Sequence, residues 1–73
     1  MVAVRRFTLR KDPEWPGWTL LDDLTRQRVR RYHTREQATK PGELEAAVGP
    51  SGGVVQIRRK DGTLEEERLI PRR

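Results

Sequence analysis

The sequence predicts an α+β fold in which the elements follow the order β-β-β-α-β-β. Three observations favour it: an apolar/polar alternation of period two, a helix start at Thr34, and an Asp-Gly pair at 61–62 between two strand-like runs. One helix packed on one face of a small antiparallel sheet would bury the apolar residues together. We therefore expect one small domain over residues 1–73, with residues 71–73 as a frayed tail.

The first strand is predicted over residues 4–11 (VRRFTLRK). Because side chains alternate along a strand, Phe7 and Leu9 face one way while Arg6 and Arg10 face the other. The prolines and glycine of DPEWPG then form a loop before the second strand. The first strand is therefore half-buried, with arginines on its outer side.

Two further strands are predicted before the helix. Residues 18–21 (WTLL) direct Trp18 inward, and residues 26–32 form the third and least regular strand. In that strand Val29 and Tyr32 have opposite parity, so only one can face the core unless a bulge intervenes. Parity alone places Arg26, Arg28, Arg30 and Tyr32 on one face.

The helix is predicted to begin at Thr34, a good N-cap, with Gln37 three residues later completing a capping-box pattern. Gly49 ends it. Pro41 lies inside this stretch, where proline costs about 3 kcal/mol. We therefore expect one helix that is kinked there, or that restarts with Pro41 in its first turn.

The Asp-Gly pair at 61–62 predicts a hairpin between residues 54–59 and 63–70. Arg58 would then lie opposite or diagonal to Glu65, a favourable cross-strand pair. The basic run at 58–60 is therefore expected to be neutralised by the glutamates that follow.

Several of these features recur together in one known pattern: Gly17-Trp18, Thr34 with Ala38, Val54-Val55 and the run KDGTL at 60–64. In order and spacing they resemble the small bacterial domain-of-unknown-function family 2188, whose members typically read G-W-x-V, T-x-x-E-A and L-V-V-H-x-x-D-G-x-I. The resemblance implies a compact sheet-plus-helix domain. It implies no catalytic or binding residue.

The chain departs from that family pattern at two places. Pro41-Gly42 lies where members have an uninterrupted alanine-rich helix. An arginine-rich stretch also replaces residues that are usually small and polar. The functional prediction therefore depends on this chain's own residues.

The arginine block, residues 26–35 (RQRVRRYHTR), contains five arginines and no acidic residue. The other eleven Lys and Arg residues equal the eleven Asp and Glu residues in number, so this block accounts for the net charge of +5. A local excess of guanidinium groups favours an anionic partner, because arginine binds phosphate bidentately and stacks on bases.

Other classes of function find little support in the composition. Cysteine is absent and His33 is the single histidine, which excludes disulfides and a conventional zinc site. The glycine run at 49–53 lacks the Gly-Lys-Ser/Thr ending of a phosphate loop. We expect no enzyme activity, no cofactor and no metal, in a soluble cytoplasmic protein without a membrane span.

We therefore predict a small non-enzymatic domain that binds DNA or RNA on the open face of its sheet. The block contributes most of the expected site, with Tyr32 available for stacking. The predicted binding residues are Arg6, Arg10, Arg26, Arg28, Arg30, Arg31, Tyr32 and Arg35.

Two alternatives remain open at this point. The basic face can be a solvated surface whose charges prevent edge-to-edge aggregation. It can also belong to a protein-interaction or homodimeric module, since a small core makes self-association attractive. Trp15, between two prolines, either stacks on a base or covers the end of the sheet.

Overall fold

The computed structural model describes residues 4–72, which form a small α+β domain with a five-stranded sheet and two short helices. The strands correspond closely to the predicted runs. In chain order the elements are β1 (Arg6–Lys11), β2 (Trp18–Asp22), β3 (Arg28–Tyr32), α1 (Arg35–Ala38), α2 (Glu43–Val48), β4 (Gly53–Arg58) and β5 (Leu64–Ile70).

The sheet is mixed, with the strand order β3-β2-β1-β4-β5. Three neighbouring pairs are antiparallel, but β1 and β4 run parallel, with Phe7 opposite Val55 and Leu9 opposite Ile57. The predicted antiparallel sheet is therefore wrong at its centre. Parallel neighbours require a long crossover, and here β2, β3 and both helices lie between the two strands in the chain.

The core lies on one face of the sheet, under the helices. Phe7 and Leu9, which share a face of the first predicted strand, and Trp18, which was predicted to point inward, are all buried there. The cluster comprises Phe7, Leu9, Trp18, Leu20, Tyr32, Ala38, Leu44, Val48, Val55, Ile57 and Ile70. The other face of the sheet is not covered by any helix within residues 4–72. We call it the open face.

The helical segment consists of two helices, so the kinked helix is wrong and the chain restarts, although Pro41 precedes the N-cap of the second helix and is not in its first turn. Thr34 caps α1 as predicted, since its Oγ1 accepts a hydrogen bond from the Gln37 backbone N–H at 3.1 Å. The chain then breaks at Pro41, and Gly42, with φ +85°, is the N-cap of α2. A left-handed residue next to proline cannot continue the first helix, so α2 begins as a separate element.

The parallel pairing depends on a close approach at Gly53. The Val54 backbone N–H donates to the Arg5 carbonyl at 2.9 Å. A Cβ on Gly53, whose φ is +157°, would lie 2.7 Å from that same oxygen. Beyond β5, Pro71 and Arg72 have no regular secondary structure, and Arg73 of the expected tail lies outside the described residues.

The loop between β1 and β2 is held against the sheet by Trp15. Its ring lies over Gly17, so that a Cβ on this glycine would strike the ring and would lie 2.5 Å from the Tyr32 carbonyl oxygen. The absence of a side chain at Gly17 therefore permits both contacts.

We expect Gly17→Ala to lower the free energy of unfolding by about 1–3 kcal/mol, because the added methyl group must displace the Trp15 ring and the backbone of β3. Chemical denaturation followed by tryptophan fluorescence measures this. The exposed Ser51→Ala is the control, expected to change stability by less than about 0.5 kcal/mol. Equal stability of the two variants would contradict the packing described.

Candidate nucleic-acid interface

The open face is organised in rows of side chains that cross the strands. One row, which we call the arginine row, contains Arg31 of β3, Thr19 of β2, Arg10 of β1 and Arg58 of β4. Arg31 is opposite Thr19, and Thr19 is opposite Arg10. Arg58 follows the buried Ile57, the partner of Leu9, and so lies beside Arg10 on the open face. Three guanidinium groups therefore line up across four strands.

Arg10 occupies the middle of this surface. It borders two shallow depressions, one shared with Thr19 and Arg28, the other with Gln56 and Arg58. The second depression has a volume of about 420 Å³. An anion lying over Arg10 would therefore have another arginine on either side.

Arg31 has its guanidinium group 5.2 Å from the centroid of the Trp15 ring. This distance is within the range of a cation–π contact. The His33 ring is 5.5 Å from the same indole. The structure thus favours the interpretation in which Trp15 covers the end of the sheet.

A bulge moves Arg28 relative to its predicted neighbours. Leu20 pairs with Arg30, but Leu21 pairs with Arg28, so Val29 is the extra residue. Arg28 therefore lies with Leu21 on the open face, as predicted. The cause is the bulge and not simple alternation.

Two predicted site residues of β3 lie on the opposite face. Tyr32 is opposite Trp18 in the core and only 5% exposed, so the expectation of a stacking platform is wrong. Burial raises the pKa of its hydroxyl, and the charge of Glu43 adds to this effect. Arg30 points to the same side and contacts Glu43 Oε1 of α2 at 3.1 Å. The physical reason for both corrections is the register of β3 against β2.

The remaining predicted residues have separate positions. Arg35, the first residue of α1, forms an ion pair with Glu65 of β5 on the helix side. Arg26 lies in the turn before β3 with φ +62° and borders the depression that contains Arg10. Arg6 is exposed on the open face, next to Val54. Of the eight predicted residues, Arg6, Arg10, Arg26, Arg28 and Arg31 are therefore on or beside this face.

Arg58 is a member of the site that the sequence argument excluded. The expected partner Glu65 is the extra residue of a second bulge, because Ile57 pairs with Glu66 while Arg58 pairs with Leu64. The Arg58 guanidinium instead donates to Gln56 Oε1 at 3.1 Å. The sequence did contain a signal for this position: Arg58 follows Ile57, so if Ile57 faces the core, Arg58 faces the other side of the sheet.

The ion pairs of the molecule involve other arginines. Within residues 4–72, none of Arg6, Arg10, Arg28, Arg31 and Arg58 lies within 4.0 Å of a carboxylate oxygen. The pairs present are Arg5–Asp22, Arg30–Glu43, Arg35–Glu65, Arg59–Glu65 and Arg68–Glu66. The helix side is thus internally compensated, whereas the open face keeps a positive excess.

Three acidic side chains at the open face accept hydrogen bonds from neutral side-chain donors: Asp12, Asp23 and Glu67. Asp12 Oδ2 accepts from the Thr19 hydroxyl at 2.7 Å, and its Oδ1 accepts from the Glu14 backbone N–H at 2.8 Å. These two bonds lower the pKa of Asp12 against the opposing effect of burial, and Arg31 and Arg28 lower it further. Asp12 remains ionised and reduces the positive field at one end of the arginine row.

Comparison with known proteins identifies no relative: no family model, no curated protein and no solved structure matches this chain. The resemblance to family 2188 therefore stays a prediction. Between residues 4 and 72, no helix is long and apolar enough to cross a membrane. The same residues contain no cluster of three His, Asp or Glu side chains that could hold a metal ion.

We expect Asp12→Asn to lower the free energy of unfolding at neutral pH. In this variant the free energy of unfolding should also fall less steeply as the pH is lowered. A carboxyl whose folded pKa is depressed stabilises the fold above its unfolded pKa, near 3.9, and loses this effect as the pH falls through the folded value. Denaturation between about pH 7 and pH 2 measures it, the difference between the two proteins shrinking below about pH 4. A stability difference that stays constant with pH would contradict the lowered pKa of Asp12.

Proposed function

We propose that this protein binds nucleic acid through the open face of its sheet, by contacts of arginine with backbone phosphates. One observation carries the proposal: five arginines on the uncovered face have no ion pair within residues 4–72, while three arginines on the helix side each contact a glutamate. A polyanion bound there would neutralise this excess of positive charge. No catalytic group is part of the proposed site.

The arrangement of the arginines favours a polymer with a series of phosphates over a single small anion. Arg10 and Arg58 are on adjacent strands, about 5 Å apart at the backbone, and Arg31 is two strand separations from Arg10, about 10 Å. Such a row exceeds the size of one phosphate group. It fits a series of phosphates, each of which can accept a bidentate guanidinium contact.

We expect binding to weaken steeply with salt. If about five phosphates are engaged, log K against log salt has a slope of about −4 to −5 on duplex DNA. For Arg10→Gln/Arg31→Gln the slope should become shallower by about 2 and the affinity should fall on the order of tenfold or more. Fluorescence anisotropy with labelled DNA and RNA at several salt concentrations measures both quantities.

A matched control removes the same number of positive charges from residues outside the proposed site. Lys40→Gln/Arg68→Gln also removes two positive charges, from the loop before α2 and from the inner side of β5. Its slope should stay within about one unit of that of the unmodified protein. Equal losses in the two double variants, or binding insensitive to salt, would reject the proposed interface.

A second candidate function is self-association through the edges of the sheet. The edge strand β3 contains three exposed arginines, and the other edge strand, β5, contains the exposed glutamates 65–67. The strand directions make β3 and β5 antiparallel. A second copy displaced sideways could therefore pair its β5 with this β3, with opposite charges facing each other.

If the edges pair, the sedimentation coefficient should rise with protein concentration and fall again at high salt, because the contact is between opposite charges. Glu66→Lys/Glu67→Lys should abolish the rise by placing like charges at the edge. Sedimentation velocity without nucleic acid provides the measurement. A monomer at every concentration would exclude this candidate and leave the nucleic-acid proposal unaffected.

A further inference from the structure

The aromatic residues limit the kind of nucleic acid that the open face can recognise. The chain contains four of them: Phe7, Trp15, Trp18 and Tyr32. Three belong to the core beneath the helices, at 0%, 9% and 5% exposure for Phe7, Trp18 and Tyr32. None of these three rings can reach a base without unfolding the sheet.

Trp15 is the remaining one of these four residues, and its ring is already engaged. It packs over Gly17, with the Arg31 guanidinium 5.2 Å and the His33 ring 5.5 Å from its centroid. A base stacking on it would have to displace these neighbours. It also belongs to the loop between β1 and β2 and not to the strands that present the arginine row.

Proteins that hold single strands without sequence preference combine a basic groove with aromatic rings, and each stacked base contributes about 1–3 kcal/mol. The open face supplies the positive charge but not the rings. Duplex binding needs no stacking platform, because the bases are already stacked on each other and the phosphates face outward.

The width of the charged surface agrees with a duplex. From Arg31 on β3 to Arg58 on β4 there are three strand separations, about 14 Å. This compares with about 6 Å for the minor groove and about 12 Å for the major groove of B-form DNA. Arginines at the two ends of the row can therefore contact phosphates on both sides of a groove.

We infer that the ligand of the open face is double-stranded nucleic acid, held by phosphates of both strands with no stacked base. This inference rests on the proposed function and narrows it. Because arginines on the open face of a sheet contact backbone phosphates and carry no base-specific groove contact of their own, the binding should show little sequence preference.

The test compares a labelled DNA duplex, an RNA duplex and the component single strands of each, at one salt concentration and by the same anisotropy measurement. The expected result is binding at least about tenfold tighter to a duplex than to either of its strands. The duplex that binds more tightly identifies DNA or RNA as the source of the phosphates. A scrambled duplex should bind with the same affinity.

The Trp15→Leu variant separates stacking from phosphate contact. Its affinity for duplex should stay within about threefold of that of the unmodified protein, provided that circular dichroism shows a folded sheet. If Trp15→Leu does not fold, the comparison of duplex with single strands on the unmodified protein still decides between the two modes.

Two outcomes would each contradict a different claim. Equal or tighter binding to single strands, with a loss on the order of tenfold in Trp15→Leu, would reject the duplex inference and keep the open face as a nucleic-acid site. No binding to either duplex or to any of the single strands, with the fold intact, would reject the proposed function itself.

Discussion

The parallel pairing of β1 with β4 is the contact on which the rest of the structure depends. Without it the chain would consist of a three-stranded meander and a separate hairpin, and an isolated hairpin is marginally stable at best. The pairing aligns Phe7 with Val55 and Leu9 with Ile57, which completes one continuous apolar surface. It also requires the chain to cross over the sheet, and the two helices do so on the face that carries those residues. The other face stays open for the same reason.

The half-buried strands and the core were predictable from sequence because they depend on local periodicity. Phe7 and Leu9 alternate with Arg6 and Arg10 whatever strand lies beside them. The N-cap at Thr34 is equally local. The parallel partner of β1 was not predictable in this way, since a pairing between residues more than forty positions apart leaves no signal in either strand alone. The break between α1 and α2 was one of two outcomes that Pro41 allowed.

The errors on the strands of the candidate site come from the register of β3 against β2 and from two β-bulges. The pairing with β2 places Arg30 and Tyr32 on the core face, and one extra residue in β3 then places Arg28 on the open face, whereas unbroken alternation would keep all three together. One extra residue in β5 takes Glu65 away from Arg58. Bulges depend on the pairing register and on local twist, so composition at β3 and β5 does not reveal them. The charge of the block was readable from sequence, but the face to which each charge belongs was not.

The free energy of the positive face gives a reason to expect a ligand there. Two unit charges about 5–10 Å apart in water repel each other by about 0.4–0.8 kcal/mol, and the backbone spacing of neighbours in the arginine row lies in this range. A domain of this size has little stability in reserve. On the helix side the same cost is avoided, because Arg30, Arg35 and Arg68 each contact a glutamate. Phosphates laid over the row would remove the repulsion and add attraction, so the proposed binding of a polyanion would stabilise this arrangement of the sheet.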